Sequence, residues 1–104
     1  MAAPYNPPVK GEDFVFFIGL EDAATPGSFK ANPTLASGDF KVSKDGGSLT
    51  NLSTTPSVSP AGSVMVKITL SATEMTADNV TIVGIDQTGP KEWADFMANI
   101  VTTA

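Results

Sequence analysis

Between Gly38 and Asp86 the chain alternates apolar with polar residues, and turn residues break the alternation at short intervals. Phe40-Lys41-Val42-Ser43 is followed by the turn Lys44-Asp45-Gly46-Gly47-Ser48, whose glycines accept positive φ at no steric cost. Val64-Met65-Val66-Lys67-Ile68-Thr69-Leu70 and Val80-Thr81-Ile82-Val83-Gly84-Ile85 repeat the pattern. A period of two puts alternate side chains on opposite faces, so these segments predict half-buried antiparallel strands. Taken alone they describe a small β domain and carry no chemistry.

The flanks complete the architecture. Glu12 to Leu20 places Phe14, Phe16 and Ile18 on one face and Val15 and Phe17 on the other. Apolar residues on both faces predict a central strand, or one whose outer face meets a partner. Ser28 to Asn32 reads as a short edge strand, and Ser48 to Leu52 as a return strand with Leu49 and Leu52 inward. Ser53 to Ser63, with Pro56 and Pro60, reads as an irregular crossover pinned to the core by Val58. Ser71-Ala72-Thr73-Glu74 has the spacing of a capping box and predicts one helical turn near 72–76. In the tail, Trp93, Phe96, Met97 and Ile100 fit helical spacing, while Phe96, Ala98 and Ile100 fit strand alternation. The β-prone Val101-Thr102-Thr103 favours a last strand from about Met97 to Thr103, after a loop carrying Trp93.

The expected fold is an all-β Greek-key or immunoglobulin-like β-sandwich of about seven strands over residues 12–104. Its inner faces draw on Phe14, Phe16, Ile18, Phe40, Val42, Val64, Val66, Ile68, Leu70, Val80 and Ile82. Residues 1–11 form an extended Pro-rich N-terminal arm, since three prolines within Met1 to Pro8 favour polyproline-like backbone. Such an arm is either a frayed terminus or a preorganised strap on a neighbouring subunit, with Tyr5 as anchor beside Pro7 and Pro8.

Charge and missing residue types exclude most chemistry. All six basic residues are lysines, and they are scattered over a chain of net charge −5. No arginine is present to read phosphate or guanine bidentately, so direct nucleic-acid binding is not expected. Without histidine or cysteine there is no triad, thiolate or imidazole chemistry, and no disulfide. Carboxylates remain, among them Glu12, Asp13, Glu21, Asp22, Asp39, Asp45, Glu74, Asp78, Asp86, Glu92 and Asp95. They fall mostly at predicted strand ends and turns, where Asp accepts local backbone hydrogen bonds, so no glycosidase pair is expected. Asp45-Gly46-Gly47 looks like the start of a calcium loop but lacks the ligand pattern and closing glutamate. The glycines form no phosphate loop. No metal, cofactor or catalytic residue is expected. Charged residues make up 16% of the chain against about 25% ordinarily, which suits faces lying against other protein. The N-terminus lacks a signal-peptide pattern, and no apolar run approaches the roughly 20 residues of a membrane helix. Trp93, the single tryptophan, is either core packing or an interface anchor.

Four runs carry a resemblance: Pro-Thr-Leu-Ala-Ser-Gly-Asp-Phe-Lys-Val-Ser-Lys-Asp-Gly-Gly (33–47), Pro-Ser-Val-Ser-Pro-Ala-Gly-Ser (56–63), Ile-Thr-Leu-Ser-Ala-Thr-Glu-Met-Thr-Ala-Asp-Asn-Val (68–80) and Glu-Trp (92–93). Over roughly residues 12–103 the chain resembles a small β-sandwich module of tailed-bacteriophage virion proteins, encoded near capsid, neck and tail-fibre genes. The resemblance implies a non-enzymatic virion structural role and carries over no functional residues. It implies a capsid decoration (cement) protein on the outside of the head, synthesised in the host cytoplasm and homo-oligomeric on the virion, where it contacts the major capsid protein or other virion proteins. The alternative it leaves open is a neck or tail adaptor, or a fibre-associated receptor-facing module. The interface candidates are then Tyr5, Pro7, Pro8, Val15, Phe17 and Trp93.

Overall fold

The computed structural model describes residues 7–104. Seven strands form two antiparallel sheets: β1 (Phe14–Gly19), β2 (Phe40–Lys44), β3 (Thr50–Asn51), β4 (Ser57–Val58), β5 (Met65–Leu70), β6 (Asn79–Gly84) and β7 (Phe96–Val101). One sheet has the order β1-β5-β4 and the other β3-β2-β6-β7. Three connections are hairpins within a sheet, and the other three (β1 to β2, β3 to β4, β5 to β6) cross between sheets. The all-β sandwich expected from the alternation is therefore the fold of the chain.

The alternation decides the core. Val66, Ile68 and Leu70 of β5 face Phe40 and Val42 of β2 and Val80 and Ile82 of β6, and all seven are buried. Leu20, Leu52, Met75, Ala77 and Trp93 extend this cluster from turns and loops. Phe14, Phe16 and Ile18 pack against it and stay only half-buried. The reason is position: β1 pairs with β5 alone and lies at a sheet edge. That corrects the central-strand expectation; the two apolar faces of β1 do not mark a middle strand.

The β2–β3 hairpin turns through Asp45 and Gly46 with φ of 51° and 76°, closed by the Gly47 amide donating to the Lys44 carbonyl at 3.0 Å. Positive φ at both central residues is the turn geometry whose twist matches a hairpin. Leu52 enters the core, but Leu49 points to solvent, contrary to the inward placement expected of it. The 53–63 segment is more regular than its prolines suggest, because Ser57 and Val58 pair with Lys67 and Val66. The stretch around Ser28 forms a single bridge, Glu21 to Phe29, and no strand. The capping box forms as its spacing predicts: the Glu74 amide donates to Ser71 Oγ at 3.2 Å, and the Ser71 amide to Glu74 Oε1 at 2.8 Å. The segment it starts is a hydrogen-bonded turn that carries the chain from β5 to β6.

Candidate interaction surface

The six interface candidates separate. Tyr5 lies outside the described residues. Pro7 is exposed, while the Pro8 carbonyl accepts from both the Thr103 amide and the Thr103 hydroxyl. Val9 pairs in parallel with Thr103, and the Gly11 amide donates to the Met75 carbonyl. Pro8, Val9 and Lys10 are thus stitched to Thr103 near the C-terminus, and Gly11 to the turn between β5 and β6. Trp93 is wholly buried: its ring stacks on Phe40 at 5.3 Å and its Nε1 donates to the Thr34 carbonyl at 3.3 Å. A buried indole with a satisfied N–H packs the core, so it presents no surface to a partner and the anchor reading is withdrawn. Val15 is also buried, although it lies on the outer face of β1. Besides Pro7, Phe17 is left on a surface, 40% exposed.

Two residues missed at the level of sequence belong with Phe17. Antiparallel register puts Gly19 opposite Met65 and Phe17 opposite Lys67, so Phe17, Gly19, Met65 and Lys67 share the outer face of the three-stranded sheet. Phe29, 63% exposed, fills the space beside Gly19 where a Cβ would stand 2.5 Å from its Cε1. Met65 was legible, since it alternates out of phase with Val64, Val66 and Ile68. Phe29 was not, because only the fold brings its loop back against β1.

The outer face of the other sheet has its own apolar residues. Met97, opposite Val83, and Val101, opposite Asn79, are both largely exposed on β7. Between them runs a polar ladder: Thr81 Oγ1 donates to Asn99 Oδ1 at 2.8 Å, and Asn99 Nδ2 to Asn79 Oδ1 at 3.1 Å. Each sheet thus turns large apolar side chains outward.

The buried carboxylates organise loops. Asp39 accepts from the Ala36 and Gln87 amides, and Glu74 from the Ser53 amide and hydroxyl as well as from Ser71. Asp86 accepts from the Thr88 amide at 2.9 Å and the Glu92 amide at 2.7 Å. Burial by itself pushes the Asp86 carboxyl up, but the Glu92, Thr88 and Trp93 amides and the Thr88 hydroxyl hold it below its ordinary value. Asp45 accepts from the Asp78 and Asn79 amides at the start of β6. No three His, Cys, Asp or Glu side chains converge as a metal site among the described residues. Among the described residues no helix long and apolar enough to cross a membrane occurs. Comparison with protein-family models, with curated proteins and with solved structures finds no match.

Proposed function

We propose that the chain is a non-enzymatic virion structural protein of a tailed bacteriophage, a decoration protein that cements the outside of the head. The observation that carries this reading is the outward apolar side chains on both sides of the sandwich: Phe17, Met65 and the loop residue Phe29 on one, Met97 and Val101 on the other. Apolar groups turned outward on two sides of a sandwich suit a molecule that sits between neighbours, because their burial is what favours association. The low charge density removes the desolvation cost that a charged surface would add to such contacts. The resemblance of residues 12–103 to virion β-sandwich modules supplies the setting.

Mixing the purified protein with undecorated phage heads, followed by sedimentation and image reconstruction, tests the reading. Saturable binding in hundreds of ordered copies is expected. A dozen copies or fewer at a vertex would favour the neck or tail adaptor instead. Catalytic turnover of a substrate by the purified protein would overturn both.

A further inference from the structure

We propose that the cleft beside Phe29 receives an arginine side chain of a protein partner. The inference deepens the docking role and rests on it for the partner, but the chemistry is local. Glu21, Gly27, Ser28 and Phe29 line a cleft of about 180 Å³. Glu21 and Phe29 form an antiparallel bridge, which sets the carboxylate and the ring on the same side of the backbone. The Gly27 amide donates to Glu21 Oε2 at 2.9 Å and holds the carboxylate in place, with Oε1 engaged by no hydrogen bond among the described residues. Neither ion pair of the described residues uses Glu21; Lys10 pairs with Asp78 and Lys91 with Asp95.

The ring is preorganised as well as exposed. Because Gly19 has no Cβ, the Phe29 ring settles into that space while nearly two thirds of the residue stays accessible. An aromatic ring beside an unpaired carboxylate attracts a cation twice, through the ring quadrupole and through charge. A guanidinium satisfies both in one plane, stacking on the ring while its edge N–H groups meet the carboxylate. An anion is repelled by Glu21. A saccharide would find one carboxylate and one hydroxyl where it needs several converging polar groups.

The test is an amide-resolved NMR titration of the full chain with N-acetylarginine amide, beside N-acetylalanine amide and methyl glucoside. Saturable shifts at Gly27, Ser28 and Phe29 are expected from the arginine probe alone, weakening as salt is added. Glu21→Gln keeps an acceptor for the Gly27 amide but removes the charge, and should weaken binding about fivefold. Gly19→Ala changes no lining residue's identity but displaces the Phe29 ring, and should weaken binding about threefold. Equal shifts with the alanine probe, stronger shifts with the glucoside, or full arginine affinity in Glu21→Gln would each overturn the proposal. If wild-type protein binds heads yet the arginine titration is silent, the cleft assignment fails while the docking role stands. Arginine binding without head binding separates the two in the other direction.

Discussion

The ring of Phe40 occupies the space where a side chain on Gly84 would begin. The two residues are direct cross-strand partners between β2 and β6, and a Cβ on Gly84 would stand 2.7 Å from Phe40 Cε2. Phe40 is 2% exposed and stacks on Trp93, with Phe96 tilted against it at 6.4 Å. The ring has nowhere to retreat. A glycine within a strand ordinarily weakens it, and here it makes room for the Phe40 ring.

Gly84→Ala should therefore destabilise the fold by about 1–3 kcal/mol through overpacking. Gly19→Ala meets a ring at a similar distance, but that ring is exposed and swings aside, so its cost should stay within about 0.5 kcal/mol. Urea unfolding of both variants checks the contrast. Equal losses would mean that Phe40 relaxes as freely as Phe29.

Glu74→Ala strips acceptors from the Ser71 and Ser53 amides and the Ser53 hydroxyl in a partly buried site. A loss of about 2 kcal/mol or more is expected, because donors left unsatisfied keep their desolvation cost. Ser71→Ala removes one cap acceptor and should cost about 1 kcal/mol. If the two variants melt at the same temperature, the tie from the turn to Ser53 contributes nothing.

Acid should destabilise the protein partly through Asp86. Its folded pKa is lowered, so the folded state holds its proton more weakly than the unfolded chain does. The stabilisation is complete above the unfolded value of about 3.9 and disappears as pH falls through the folded pKa. Denaturation midpoints measured from pH 7 down to strong acid should fall less steeply below pH ~4 for Asp86→Asn than for the wild type. Parallel curves would remove Asp86 as a contributor.

Trp93 reports on folding and stays silent on docking. Its emission should be blue-shifted and hardly quenched by acrylamide in the folded protein, and unchanged when a partner binds. Trp93→Ala should cost about 3–5 kcal/mol, the usual penalty for emptying a large core site. Quenching that falls only on partner binding would return this indole to the surface.

Local pattern reaches a long way in this chain. The parity of Val66, Ile68 and Leu70, of Val80 and Ile82, and of Phe40 and Val42 states which side chains face inward, because the strand period leaves no other choice. The Ser71–Glu74 box and the Asp45-Gly46 turn are read from short spacings because their hydrogen bonds close within a few residues. Leu49 misled because it precedes a strand of only two residues, too short for alternation to govern it. β1 misled because apolar residues on both faces suit an edge strand whose outer face is partly covered, with Val15 buried and Phe17 exposed, as well as a central one.

What the amino-acid order alone determined is the class of the fold, the inward face of each main strand, and the exclusion of imidazole and thiol chemistry. Tertiary structure alone decided that β1 is an edge, that Trp93 is core, and that Phe29 folds back on Gly19 beside Glu21. The physical reason is range. Strand parity and turn geometry are set by neighbouring residues, whereas sheet order and a loop's landing place depend on contacts between residues far apart in the chain, which no local pattern encodes.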